Sequence, residues 1–129
     1  MGVAFVMAAV GGFVPGLTLP PLPGAPVLEV ELCYGRLLGL FPVNAVHNVF
    51  HLLVGVAGIW ASRSDARSLR FAQIVAIALA ALTLMGLGAP WHSVFGLMPV
   101  YGHAVWLHGL EALAAAYLGF VVGPTWLSL

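Results

Sequence analysis

The chain has 129 residues, of which 62% are hydrophobic and 6% charged, with a formal net charge of zero. An average soluble domain carries roughly 25% charged residues, and a small globule hides only about two thirds of the surface its chain exposes. So much apolar surface excludes an ordinary soluble domain and points to lipid, while the zero net charge offers nothing to nucleic acid. Lysine is absent, and the one cysteine, Cys33, has no internal partner and reads as a small buried or interfacial hydrophobe.

A membrane-crossing helix needs about 20 mostly apolar residues. The first such segment runs from Met1 to about Thr18. The first positive charge is Arg36, so the segment lacks the basic start of a secretion leader and is read as a retained span. Gly11, Gly12, Pro15 and Gly16 weaken its end, and the helix is expected to stop near Val14. The connection Leu19–Leu40 opens with Leu-Pro-Pro-Leu-Pro-Gly, which favours extended backbone. Leu28 to Leu32 then alternates apolar and acidic residues, as either a short extended piece or an interfacial turn of helix would.

The second span runs from about Val43 to Ala61, with Asn44 placed to cap it. A polar connection, Ser62–Arg70, holds Arg63, Arg67 and Arg70. The third span runs from Phe71 to about Gly88, and the connection Ala89–Tyr101 carries Pro90, Trp91, His92 and Pro99. The fourth runs from about Gly102 to Val122, with Gly102 as a weaker cap. Lipid leaves backbone groups unsatisfied in an open sheet, so the expected fold is an all-α integral membrane four-helix bundle forming one transmembrane domain over 1–129. Three of the four arginines lie between spans two and three, which predicts that this loop and both termini face the cytoplasm. Trp60, Trp91, Tyr101 and Trp126 stand near predicted span ends, where amphipathic rings prefer to lie.

Two stretches repeat at a spacing of 57 residues. Gly39-Leu40-Phe41-Pro42-Val43-Asn44 precedes Ala45-Val46-His47-Asn48-Val49-Phe50-His51. Gly96-Leu97-Met98-Pro99-Val100-Tyr101 precedes Gly102-His103-Ala104-Val105-Trp106-Leu107-His108. Each leads into an even-numbered span, which predicts two helical hairpins in the same orientation, a parallel repeat. His51 and His108 then share a depth on related helices.

The run Gly11-Gly12-Phe13-Val14-Pro15-Gly16-Leu17-Thr18, followed by Gly39 through His51, resembles a bacterial family catalogued as domain of unknown function 4383. The resemblance covers most of the chain and implies a small four-helix membrane protein; it implies no activity. The second half departs from the family's polar positions. Tyr101 stands where Asn is usual, and Ala104-Val105 where Asp-Asn is usual.

Polar groups inside a span are costly and are functional candidates by default. Here they are Asn44, His47, Asn48 and His51 on the second span and His108 and Glu111 on the fourth. His47 and His51 share a helix face, as do His108 and Glu111. In the simplest reading these groups hydrogen-bond between helices and fix their register. In the second, His51 and His108, with His47 nearby, ligate a tetrapyrrole, haem or chlorophyll. A third reading is a metal site of His47, His51, His108 and Glu111. A fourth is a proton relay through His51, His108 and Glu111, with Glu111 paired to His51 or His47. No phosphate loop and no Ser-His-Asp set is present, so no catalytic residue is expected.

The function expected from the sequence is a small non-catalytic membrane subunit or accessory protein. It would pack against a larger membrane complex or a further copy of itself, surrounded by lipid, in a bacterial inner or thylakoid-like membrane. The alternative is a tetrapyrrole-binding electron-transfer or pigment subunit with His51 and His108 as axial ligands.

Overall fold

A computed structural model describes residues 1–123 and Thr125. The chain is mostly helical. Helix α1 spans Gly2–Phe13, α2 Ala45–Ala61, α3 Asp65–Leu87 and α4 His103–Ala116. A π-helical segment, Tyr117–Val122, continues α4. Helix α1 stops where glycine and proline stop it: Val14 is extended and Pro15 opens a single tight turn, Pro15–Leu17. Helix α3 begins at Asp65, not at Phe71, so the polar connection shrinks and Arg67 and Arg70 ride on the first turns of α3. Asp65 suits the positive end of the helix dipole, and long arginine stems can lie along a helix while their heads stay wet.

The all-α expectation needs correction. Strands β1 (Thr18–Leu19), β2 (Gly35–Leu37) and β3 (Phe41–Val43) form a small antiparallel sheet in the order β1-β2-β3. The connection between the first two helices is long enough to turn back on itself, and pairing satisfies backbone groups that no helix covers. Pro42 sits in β3, an edge strand, where its missing N–H costs no ladder bond. Leu28–Leu32 is neither strand nor helix; Leu28 is buried, and the Glu29 amide donates to the Gly96 carbonyl at 2.9 Å. Cys33 is exposed in a turn at φ 57°, which corrects the buried half of its reading.

The repeat is visible in the backbone. Leu38 and Gly39 have φ of 53° and 74°, and Phe95 and Gly96, 57 residues on, have 60° and 83°. Each pair forms a mirror-image turn closed by a matching bond: Leu40 N–H to Leu37 O at 3.1 Å, and Leu97 N–H to Val94 O at 3.2 Å. Each turn then delivers a fully buried Pro-Val pair, Pro42-Val43 or Pro99-Val100, to the start of the next helix. Asn44 caps α2, its Oδ1 accepting from the His47 amide at 2.9 Å, whereas Gly102 starts α4 at φ 58° with no side-chain cap.

Helices α1 and α2 pack closely against each other, and so do α3 and α4. The α1–α2 contact is made by glycine: a Cβ on Gly2 would stand 2.8 Å from the Gly55 carbonyl oxygen, and one on Gly55 2.7 Å from Val6. Phe5, Val75, Ala76, Leu79, Ala112 and Ala115 form a core joining α1, α3 and α4. Among the described residues, α3 and the run His103–Val122 are long and apolar enough to cross a membrane, while α1 and α2 are shorter apolar helices. The rings of Trp60 and Trp91 are exposed, and the Arg67 guanidinium lies 4.6 Å from the centre of the Trp60 ring. Trp126 lies outside the described residues.

Candidate functional site

The inward faces of α2 and α4 bring three histidines together. His47 and His51 are one turn apart on α2, and α4 supplies His108. Ring centres lie 4.4 Å apart for His47–His51, 5.6 Å for His47–His108 and 6.1 Å for His51–His108. One ligand nitrogen from each ring falls within 4.8 Å of the other two. His47 and His108 are both 2% exposed, and His51 is partly buried under the Phe5 ring, 5.5 Å away.

Buried polar atoms are rarely left unpaired, yet the Nδ1 atoms of all three histidines have no hydrogen-bond partner. The Pro42 and Pro99 carbonyls, matched positions of the repeat, lie near the His47 ring, and the Nδ1 of that ring has no partner. Apolar space flanks the cluster on both sides. A cleft of ≈ 360 Å³ opens between α1, α2 and α4 beneath the sheet, lined by Gly11, Leu37, Val43 and Leu107 among others. A smaller cavity of ≈ 120 Å³ lies toward α3, against Phe5, Val54 and Leu79. All three histidines line both spaces.

The other polar residues are placed differently. Asn44 is fully buried and works as a clasp: its Nδ2 donates to Val30 O and to Leu97 O, both at 2.8 Å, tying the start of α2 to both long connections. Asn48 is fully buried with its side-chain oxygen and nitrogen both unpaired, and it lies against Gly12, where any Cβ would collide with it. Glu111 stands outside the histidine cluster, and its buried Oε2 has no partner. Neither His47 nor His51 hydrogen-bonds it among the described residues. Tyr101, matched with Asn44 in the repeat, meets the Tyr34 hydroxyl at 3.2 Å, and Tyr34 in turn donates to Pro26 O at 2.9 Å. Burial, the Tyr101 hydroxyl and the nearby Glu31 push the Tyr34 phenol above its ordinary value, so it stays a neutral donor. His92 is partly buried beside Tyr101, and His103 is exposed; neither joins the cluster.

The spacing of His47 and His51 and the repeat that aligns His51 with His108 were the signals for this site. The approach of Gly12 to Asn48, the Phe5 lid and the two proline carbonyls were not anticipated. Gly11-Gly12 inside an apolar helix was the one available hint, since glycine there marks a close approach.

As chemistry, three imidazoles in an apolar setting can accept a proton, donate hydrogen bonds or ligate an ion. No curated protein and no solved structure matches the chain. Residues 1–121 match the family described as Domain of unknown function (DUF4383), and the chain belongs to that family.

Proposed function

We propose that the chain is a multi-pass integral membrane protein that serves as a small non-catalytic subunit or accessory of a larger membrane complex. The observation that carries this reading is the outward face of the helices. Val3, Met7 and Val10 on α1, Leu53 and Val56 on α2, Ile74, Ile77 and Leu84 on α3, and Trp106, Leu110 and Leu113 on α4 are all exposed. Only 28% of the most apolar window of α3, and of the run His103–Val122, is buried. A core helix of a soluble protein would be mostly covered, so these faces call for lipid or partner helices.

In this reading the two hairpins form a parallel repeat. The arginine-bearing turn between α2 and α3 and both termini face the cytoplasm, and the sheet lies on the other side. Helix α1, about 18 Å long by its 12 residues, is shorter than the roughly 30 Å hydrocarbon layer. The sheet end of the first hairpin therefore dips toward the bilayer, where irregular backbone is tolerated because protein covers it; Pro42, Val43 and Asn44 are buried. Beyond this sheet and the two connections, the described residues offer little outside the helices to hold a substrate.

The tetrapyrrole alternative asks for a planar slot between His51 and His108. His47 lies against both rings, which favours a compact three-nitrogen cluster over a slot. Purification of the full chain in mild detergent tests the subunit reading. A stable assembly with a second membrane protein, or a defined homo-oligomer, is expected; a lone monomer with nothing bound to its apolar faces would sink it.

A further inference from the structure

We infer that His47, His51 and His108 form a metal centre for one transition-metal ion of the class imidazole prefers, zinc or copper. Its fourth coordination position would open onto the ≈ 360 Å³ apolar cleft. This goes beyond the subunit reading and stands or falls apart from it.

Three observations converge. The first is geometry: ligand nitrogens from two helices already lie within 4.8 Å of one another. Metal–nitrogen bonds of about 2.0–2.1 Å in a tetrahedral centre place nitrogens roughly 3.3 Å apart. Small rotations of the rings close the remaining gap without moving a helix. The second is the orphaned Nδ1 on every ring, two of them on side chains only 2% exposed. A helix-packing role would pair these atoms, yet the rings lie tilted or edge-on to one another and each Nδ1 stays unpaired. The third is outer support. The Pro42 and Pro99 carbonyls lie near the His47 ring, where a carbonyl can orient a ligating imidazole.

The donor set selects the ion. Three imidazoles and no oxygen ligand disfavour magnesium and calcium, which need several oxygens. Imidazole suits zinc, copper, iron and nickel. Glu111 lies outside the cluster, so the ligands bring no negative charge. An apolar setting then favours a monovalent copper ion, or a zinc ion that carries its own anion. Three protein ligands also leave a position open, as in zinc centres that hold an exchangeable water. Here that position meets an apolar cleft lined by Gly11, Leu37, Val43 and Leu107, wide enough for a water, a hydroxide or a small anion.

The test uses the full chain in mild detergent, purified without chelator. Metal content is measured on the protein as isolated. The protein is then stripped and titrated with zinc, with copper(I) under anaerobic conditions, and with cobalt(II) as a coloured stand-in for zinc. About one ion per chain is expected, with visible cobalt bands of a low-coordinate site. His47→Gln, His51→Gln and His108→Gln should each weaken binding by at least the 10–100-fold that loss of an outer-shell partner costs. His103→Gln should leave it unchanged. X-ray absorption of the loaded wild type should show three imidazole nitrogens at about 2.0 Å, a readout that does not depend on any variant folding. A folded wild type that takes up none of these ions at micromolar concentration would overturn the proposal. Equal uptake by the three glutamine variants would do the same. An intense haem or chlorophyll band in the protein as isolated would hand the histidines to a tetrapyrrole instead.

Discussion

The first hairpin sets helices of 12 and 17 residues against a three-stranded sheet; the second joins a 23-residue helix to one of 14 residues that runs on into a π-helical segment, with no strand between them. Both use the same mirror-image turn and the same buried Pro-Val pair to launch the helix that carries histidine. The helices launched in this way differ in their polar residues. The first half places Asn44, His47 and Asn48 where the second has Tyr101, Ala104 and Val105, and only His51 and His108 coincide. The two halves share the geometry of the turn, while their polar groups differ: α2 carries Asn44, His47 and Asn48 beside its matched histidine, and α4 carries Glu111.

Breaking the glycine contact between α1 and α2 should have the largest effect. Gly55→Leu forces a side chain into space already filled by Val6 and the Gly2 carbonyl. A roomier glycine on α4 serves as the control: in Gly109→Ala the new Cβ would meet Thr83 at an ordinary 3.4 Å. Overpacking costs about 1–3 kcal/mol and sometimes more. Gly55→Leu should lower the detergent melting temperature sharply or abolish folding, and Gly109→Ala should change it little. Equal losses would show that Gly55 is no more closely packed than Gly109.

The matched residues Asn44 and Tyr101 come next. Asn44→Ala removes a helix cap and two bonds to Val30 and Leu97. Loss of a cap costs about 1 kcal/mol, and each of the two part-buried hydrogen bonds adds about 0.5–1.5 kcal/mol. Tyr101→Phe removes one hydroxyl contact, worth about 0.5–1.5 kcal/mol. Unfolding in mixed micelles should rank Asn44→Ala well above Tyr101→Phe, and the reverse order would overturn the clasp assigned to Asn44.

A double-mutant cycle sharpens the asymmetry at Asn48. Gly12→Ala should destabilise, because its Cβ collides with the Asn48 side chain. Asn48→Ala removes both that obstacle and two unpaired polar atoms. The double variant should recover part of the loss, with a coupling of about 0.5–3 kcal/mol; strict additivity would mean the two residues do not meet. The smallest effect concerns pH. The folded Tyr34 phenol titrates above its ordinary value, so the unfolded chain loses that proton first as pH rises. Its stabilisation is complete below the usual tyrosine range, about pH 10, and fades above it. Tyr34→Phe should flatten that part of the stability curve.

Much of this was legible from the residues. Four apolar segments, the end of α1 near Val14, the Asn44 cap and the pairing of His51 with His108 come from local pattern, where period and capping chemistry act within a few residues. The sheet was not legible, because strands of two and three residues carry too little alternation to register. Nor was the early start of α3, since a charged first turn reads as a loop until a helix is seen to hold it. At the site, helical spacing and the repeat bring together the three histidines that cluster in the fold, while Glu111, grouped with them by its spacing from His108, stands outside that cluster. A three-residue spacing fixes a shared face on one helix, but depth against a facing helix depends on packing that spacing does not encode.

The π-helical segment Tyr117–Val122 bears on how this chain can change length over evolutionary time. Gln73 donates to the Gly119 carbonyl at 2.9 Å, and of the six residues only Gly119 is buried. A wider turn holds a residue more than the regular pattern, and each residue advances a helix face by about 100°. Removing one residue here would tighten the segment into ordinary helix and leave everything upstream in phase. The same deletion between Leu110 and Ala115 would rotate the core face of Ala112 and Ala115 away from that of His108. The wide turn thus acts as a register buffer, isolating the histidine-bearing part of the helix from drift in the segment beyond it.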